Sequence, residues 1–265
     1  MEDKLICKTY NVFLTTMCTL RCKNCGSCTR LYQPPFVADP KKTMAALDKV
    51  FEIYDHVREL RFGGGEVFLY PHIEEFIRYA DKYKDKFDYA IIVTNGTYLP
   101  KTSILETIKE QSYPFVVRVD RYEASTKVDE VLELIREYGL DGDERIYCGE
   151  DSFSGGWIYY GECVDRNYSD KELKRVFYNC RLPDDGIIMY EDKLTNCPYA
   201  TAVYGLGKVT MPEREVVDLS VKQNIDEMRA KVRAWRDAPF EMCKYCNGFD
   251  PINGIRVPAG EQSME

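Results

Sequence analysis

Apolar residues in the first 150 positions follow two alternating periods. Runs with period two, or with nearly continuous apolar character, stand at residues 10–15, 57–62, 89–92, 115–119 and 145–148, as strands do when successive side chains point to opposite faces. Between them Met44, Leu47, Val50, Phe51 and Tyr54, and then Ile73, Phe76, Ile77 and Tyr79, recur at helical spacing, and residues 128–138 read as a further helix. Strand alternating with helix is the signature of a parallel sheet with helices outside it, and the helical stripes are core faces. Five such steps before about residue 150 predict an α/β fold, an open partial (β/α) barrel rather than a closed eight-stranded one.

The pattern loosens beyond that point. Residues 151–156 read as a loop, and 157–160 as either a strand or part of a substrate lid. Residues 170–177 read as a short helix and 185–190 as a hairpin strand, while Ile225, Met228, Val232 and Trp235 mark a helix packed on the barrel. Residues after Asn253 either cap a second site or are mobile. The expected division is a core domain at 1–160 and a small cysteine-rich domain at 161–265, a size that suits one large domain with an appendage.

A net charge of −8 argues against a nucleic-acid partner, which needs a basic face. It leaves room for a phosphorylated or nucleotide-linked small substrate, because a local group of arginines outweighs a net charge. Lys41, Lys42, Arg58, Arg61, Arg118 and Arg121 read mostly as surface or barrel-rim residues. Two histidines are too few for a histidine metal site. With no signal peptide or membrane span in view, the eleven cysteines point to a cytoplasmic protein whose thiols ligate metal rather than form disulfides.

Three of them form Cys18-x3-Cys22-x2-Cys25, straight after the first strand. Three thiolates leave one iron of a [4Fe–4S] cluster without a protein ligand; structural zinc is the other use of such spacing. Cys28 continues the spacing, but as a fourth ligand it would close the open iron, so it is read as a non-ligand. Gly63-Gly64-Gly65-Glu66 ends the second strand, where glycines allow close approach of backbone to ligand and a carboxylate can offset an ammonium charge. Thr94-Asn95-Gly96-Thr97 ends the third, as a β-turn or as a polar contact for a ribose. A second set, Cys180-x16-Cys197-x45-Cys243-x2-Cys246, has enough thiolates to close a cluster completely or to hold a zinc ion. Cys7 reads as structural, and Cys148 as a thiol that can face the barrel mouth.

The three-cysteine loop, the Gly-Gly-Glu segment and Thr94-Asn95-Gly96-Thr97 resemble the radical S-adenosylmethionine (SAM) superfamily. The second cysteine set resembles the twitch domain, the shortened relative of the SPASM domain. That resemblance implies two [4Fe–4S] clusters and SAM as cofactors. Cys18, Cys22 and Cys25 would hold the first cluster, and Cys180, Cys197, Cys243 and Cys246 an auxiliary one. Gly64, Gly65 and Glu66 would take the SAM amino group, and Thr94 and Asn95 its ribose. One departure is Asn24, where many members carry an aromatic residue.

The implied chemistry is reductive cleavage of SAM, with an external reductant such as flavodoxin or ferredoxin. The resulting 5′-deoxyadenosyl radical abstracts a hydrogen atom from a carbinol carbon of a polyhydroxylated small molecule: a sugar, aminocyclitol or nucleotide sugar. The outcome is oxidation or epimerisation. Candidate catalytic residues are Arg118, Asp120, Cys148 and Cys163, the thiols as hydrogen-atom donors in an epimerase. In size and cysteine order the chain is similar to aminocyclitol dehydrogenases and to radical SAM proteins of polysaccharide pathways. Peptide maturation is the alternative, although residues 1–10 leave no room for the extra peptide-recognition domain usual there. An iron–sulfur electron carrier would leave the Gly-Gly-Glu segment unused.

Overall fold

The computed structural model describes residues 4–150 and 152–264. It opens with β1 (Ile6–Thr15), α1 (Pro40–Ile53), β2 (His56–Gly64), α2 (Ile73–Ala80), β3 (Phe87–Thr94), α3 (Thr102–Lys109), β4 (Phe115–Arg121), α4 (Val128–Glu137) and β5 (Asp141–Ile146). The remainder comprises β6 (Trp157–Ile158), α5 (Asp170–Asn179), α6 (Leu182–Asp185), β7 (Gly186–Tyr190), β8 (Lys193–Thr195), α7 (Ala200–Gly205), β9 (Val217–Asp218), α8 (Ile225–Arg233) and β10 (Arg256–Val257). The main sheet runs β5-β4-β3-β2-β1-β7-β8-β9. Its strands are parallel from β5 through β1 to β7, and the last two join antiparallel. This is an α/β fold on a mostly parallel sheet, with the ends of the strand order unpaired to each other.

Local chemistry explains the alternation. Asp39 caps α1 by accepting from the Lys42 N–H at 3.0 Å, with Pro40 in the first turn. The stripe it starts buries Leu47, Val50 and Phe51, and Phe51 meets Tyr10 of β1 edge-on at 6.3 Å. Phe76 of α2 meets Phe62 of β2 in the same way at 6.0 Å. Each such side chain contributes about 1.5–3 kcal/mol by burial.

One sheet face is thereby turned to the helices, and the other lies open at its polar positions. Tyr10, Phe62, Val117 and Val119 are in the core, whereas Asn11, Arg61, Arg118 and Asp120 line a cavity on the opposite face.

Several details differ from the sequence pattern. The first strand begins at Ile6, so Cys7 lies within it, and β5 stops at Ile146, so Cys148 follows it. Gly186 begins a strand that pairs in parallel with β1, which makes the second half of the chain part of the main sheet. There is no room for a side chain at Gly186, where a Cβ would collide with the Thr9 carbonyl. The helix around Met228 and Val232 buries both, and Trp235 just beyond it. Of the loop expected at 151–156, Asp151 lies outside the described residues. Residues 157–158 form a strand, paired antiparallel with β10. Among the described residues no helix is long and apolar enough to cross a membrane.

Candidate functional site

The three-cysteine loop leaves β1 and returns to it. Its base is closed by a Thr15–Val37 bridge, by Thr16 N–H donating to Phe36 O at 2.9 Å and by Ala38 N–H donating to Leu14 O at 2.9 Å. The glycine run at the end of β2 seats the loop. Gly65 N–H donates to Thr15 O at 2.7 Å and Glu66 N–H to Met17 O at 2.8 Å. A side chain on Gly64 or Gly65 would collide with the Thr15 or Met17 carbonyl, and Gly64 also holds φ at +133°. Only glycine allows two backbones to approach this closely in that conformation.

Glu66 is wholly buried and does not line the cavity. Its carboxylate accepts from Thr94 Oγ1 at 2.9 Å and Asn95 N–H at 3.0 Å, which ties the end of β2 to the end of β3. Burial pushes its carboxyl up to about 7. Its place at the strand end suggests a partner for the ammonium of SAM; in the structure its carboxylate is engaged by Thr94 and Asn95. Asn95 then reaches the loop, its Nδ2 lying 3.5 Å from Cys18 Sγ and 3.1 Å from Thr19 Oγ1.

Cys18, Cys22, Cys25, Gly63, Gly64, Gly65, Thr94 and Asn95 therefore line one cavity. Burial pushes the thiol of Cys18 up to about 12 and that of Cys22 to about 11. Such thiols stay protonated until a metal displaces the proton. Among the described residues no three His, Cys, Asp or Glu side chains converge as ligands of a single ion do. The fit to an iron–sulfur cluster rests on the soft donor set and on the glycine-lined wall beside it.

The cavity floor is polar. Arg118 and Asp120 on β4 line it and pair at 2.9 Å, and Arg61 on β2 lines it while pairing at 2.5 Å with Glu59, which does not. Asp143 and Arg145 pair on β5 at 3.7 Å outside the cavity lining. Tyr122 donates to Asp120 at 3.1 Å, and burial raises the Asp120 carboxyl above its ordinary value against the opposing effect of Arg118. Among the described residues, Asn11 Oδ1 and Arg61 Nε are buried without a hydrogen-bond partner. Arg61 and Arg118, expected mostly at the surface or rim, thus belong to the floor. The clue for Arg61 was present in the sequence. Glu59 and Arg61 share one face of a strand that a parallel barrel covers, where an apolar run is the norm.

The candidate thiol donors lie elsewhere. Cys148 lines a separate surface hollow with Tyr147 and Gly260. Cys163 is buried, its Sγ 3.5 Å from Cys28 Sγ and 3.3 Å from Tyr199 Oη. Cys28 is thereby turned toward Cys163, and neither residue lines the cavity of the loop.

Cys180, Cys197, Cys243 and Cys246 line a second, apolar cavity with Phe177, Phe240 and Met242. Phe249 N–H donates to Cys180 Sγ and Gly248 N–H to Cys246 Sγ, both at 3.2 Å. Burial raises all four thiols, Cys243 to about 12. Four thiols lining one apolar cavity, two of them with a backbone donor at the sulfur, are the soft donor set that a fully ligated cluster takes. Tyr160 stands between the two cysteine sets. It lies against Gly26 and stacks on Tyr199 at 5.2 Å and on Phe249 at 6.3 Å.

Residues after Asn253, expected either to cap this second site or to be mobile, do not line its cavity. They return through β10 to the three-cysteine loop, where Cys22 and Gln262 form a bridge. Trp157, on the partner strand of β10, joins Tyr122 in the cavity wall.

A family model described as the radical SAM superfamily matches residues 12–181. The GTP 3′,8-cyclase of Chlorobaculum tepidum is 29% identical over 131 residues, and the match spans 44% of this chain and 38% of that protein's length. Among solved structures, BtrN in complex with AdoMet and 2-DOIA is similar with a TM-score of 0.56 over 98% of both chains at 16% identity. A histidine-tagged anSMEcpe with bound AdoMet is similar with a TM-score of 0.54 over 96% of this chain and 92% of that one at 13% identity. At such identities the likeness is one of fold.

Proposed function

The chain belongs to the radical SAM superfamily, and on that footing we propose that it oxidises a carbinol carbon of a small polyhydroxylated molecule, a sugar, aminocyclitol or nucleotide sugar. A [4Fe–4S] cluster and SAM, the cofactors the family implies, supply the primary radical that removes hydrogen from an unactivated C–H bond, chemistry no side chain performs. Cys18, Cys22 and Cys25 would hold that cluster, and the wall formed by Gly63, Gly64, Gly65, Thr94 and Asn95 would hold SAM.

One observation carries the substrate class: the cavity beneath the loop is lined by the Arg118–Asp120 pair and by Asn11 and Arg61, whose Oδ1 and Nε are buried without a hydrogen-bond partner among the described residues. Leaving a buried polar group unpaired costs about 1–3 kcal/mol, which a ligand rich in hydroxyls can offset and an apolar one cannot. Arg118 and Asp120 would bracket a substrate hydroxyl, with Asp120 accepting its proton. The BtrN structure, similar over 98% of both chains, is a complex with AdoMet and 2-DOIA, which supports the aminocyclitol reading over the peptide one.

We assign Cys180, Cys197, Cys243 and Cys246 to a twitch-type auxiliary cluster in a C-terminal unit at 161–265. Full ligation suits it to receive an electron from the substrate rather than to bind substrate. That favours oxidation over epimerisation, as does the placement of Cys148 and Cys163 outside the lining of the three-cysteine cavity.

Incubating anaerobically reconstituted protein with SAM, reduced flavodoxin and a panel of sugars, aminocyclitols and nucleotide sugars tests this. A product two hydrogens lighter than one panel member is expected. An isomer of unchanged mass would overturn oxidation, and turnover only of a peptide would overturn the substrate class.

A further inference from the structure

Residues 258–263 lie more than 230 positions from the three-cysteine loop yet run along it as an extra rung. Lys23 N–H donates to Glu261 O and Ser263 N–H to Arg21 O, both at 2.8 Å. Ala259 is buried with Leu20, Cys22 and Tyr122, and Gly260, at φ +71°, lies so close to the Tyr122 ring that a Cβ would collide with it. The segment is thus built into the loop rather than resting on it. The exposed Lys23–Glu261 pair at 2.7 Å adds little.

The side chain of Gln262 is fixed at both ends of its amide. Its Oε1 accepts from Arg21 N–H at 2.8 Å, and its Nε2 donates to Gly260 O at 2.6 Å. A backbone N–H only donates and a carbonyl only accepts, so the amide cannot be flipped. Its second N–H proton is directed at Cys22 Sγ, 3.3 Å away.

We propose that Gln262 is a positioning residue of the three-cysteine cluster, donating an N–H···S bond that raises the cluster's reduction potential, and that the order of residues 258–263 is coupled to cluster binding. This rests on the iron–sulfur reading of the loop. A thiolate bound to iron is a far better acceptor than the free thiol, and a donor at that sulfur draws off electron density and favours the reduced cluster. Coupling follows because the rung and the sulfur share one peptide segment, residues 21–23.

The test uses the full chain with both sites loaded, and compares it with Gln262→Leu and Gln262→Glu by redox titration followed with low-temperature electron paramagnetic resonance. Expected is wild-type iron content, a more negative potential for the three-cysteine cluster in Gln262→Leu, a larger shift in the same direction in Gln262→Glu, and an unmoved auxiliary potential. Unmoved potentials at wild-type iron content would overturn the proposal.

If either variant fails to load, backbone hydrogen exchange in the wild-type protein decides. Amides of Lys23 and Ser263 should exchange faster after the loop's iron is removed, and unchanged exchange would overturn the coupling. Absence of iron on Cys18, Cys22 and Cys25 in the wild type would instead remove the cluster reading itself.

Discussion

Asp120 sits on the cavity floor between a cation and a phenol, and the two act on it in concert. Burial raises its carboxyl, while Arg118 at 2.9 Å and the Tyr122 hydroxyl at 3.1 Å stabilise the anion. A carboxylate with raised proton affinity is suited to accept a hydroxyl proton near neutral pH. Asp120→Asn should lower product formation by about 10²–10⁴-fold while SAM cleavage persists, as measured by 5′-deoxyadenosine release. Equal loss of both would place Asp120 in cofactor binding. Glu66 titrates for a different reason, since burial moves its carboxyl from an ordinary 4.5 to about 7. Between these values the folded chain holds a proton that the unfolded chain releases, so this group's stabilising contribution falls as pH rises through that window. Stability should therefore decline from about pH 5 to about pH 7 more steeply in the wild type than in Glu66→Gln, read from urea midpoints. Parallel slopes would mean that Glu66 is ionised throughout.

At the scale of elements, the glycine run after β2 determines where the cysteine loop sits. Gly64→Ala places a methyl group against the Thr15 carbonyl at φ +133°, and a loss of about 2–4 kcal/mol is expected by the measure of overpacked and strained sites. A urea midpoint equal to the wild type would show that the loop accommodates the methyl group. This junction was legible in the sequence because local chemistry specifies it: a strand, a three-cysteine loop, a strand ending in glycines. Helix faces such as Leu47, Val50 and Phe51 were legible for the same reason, each stripe fixing its own burial. What could not be read depended on pairing across the chain. β7 finds β1 from far along the sequence, as when Gly186 pairs with Thr9, and the two-residue strand β10 carries no periodicity to announce it. Gln262 has no motif at all, and only its contact with Cys22 distinguishes it. The partners of Glu66 were not legible either, because sequence places it at the strand end without showing that its carboxylate turns to Thr94 and Asn95.

In the whole molecule, the two cysteine sets lie on either side of Tyr160 and its stack with Tyr199 and Phe249, and the open sheet face lies beneath the first. The two proposed [4Fe–4S] clusters would amount to about eight irons per chain. Changing Cys18, Cys22 and Cys25 together to Ala should remove about half the iron and all SAM cleavage. Cys28→Ser should keep the full iron load, because Cys28 Sγ faces Cys163 at 3.5 Å and lies outside the cavity; loss of half the iron would make Cys28 a ligand. The measurement that bears most directly on the proposed chemistry follows hydrogen from substrate to cofactor. A panel substrate deuterated at its carbinol carbon is turned over with the loaded enzyme, and the 5′-deoxyadenosine is weighed. Deuterium in 5′-deoxyadenosine, matched by product two hydrogens lighter than unlabelled substrate, is the expected result. Unlabelled 5′-deoxyadenosine formed alongside oxidised product would contradict hydrogen abstraction at that carbon.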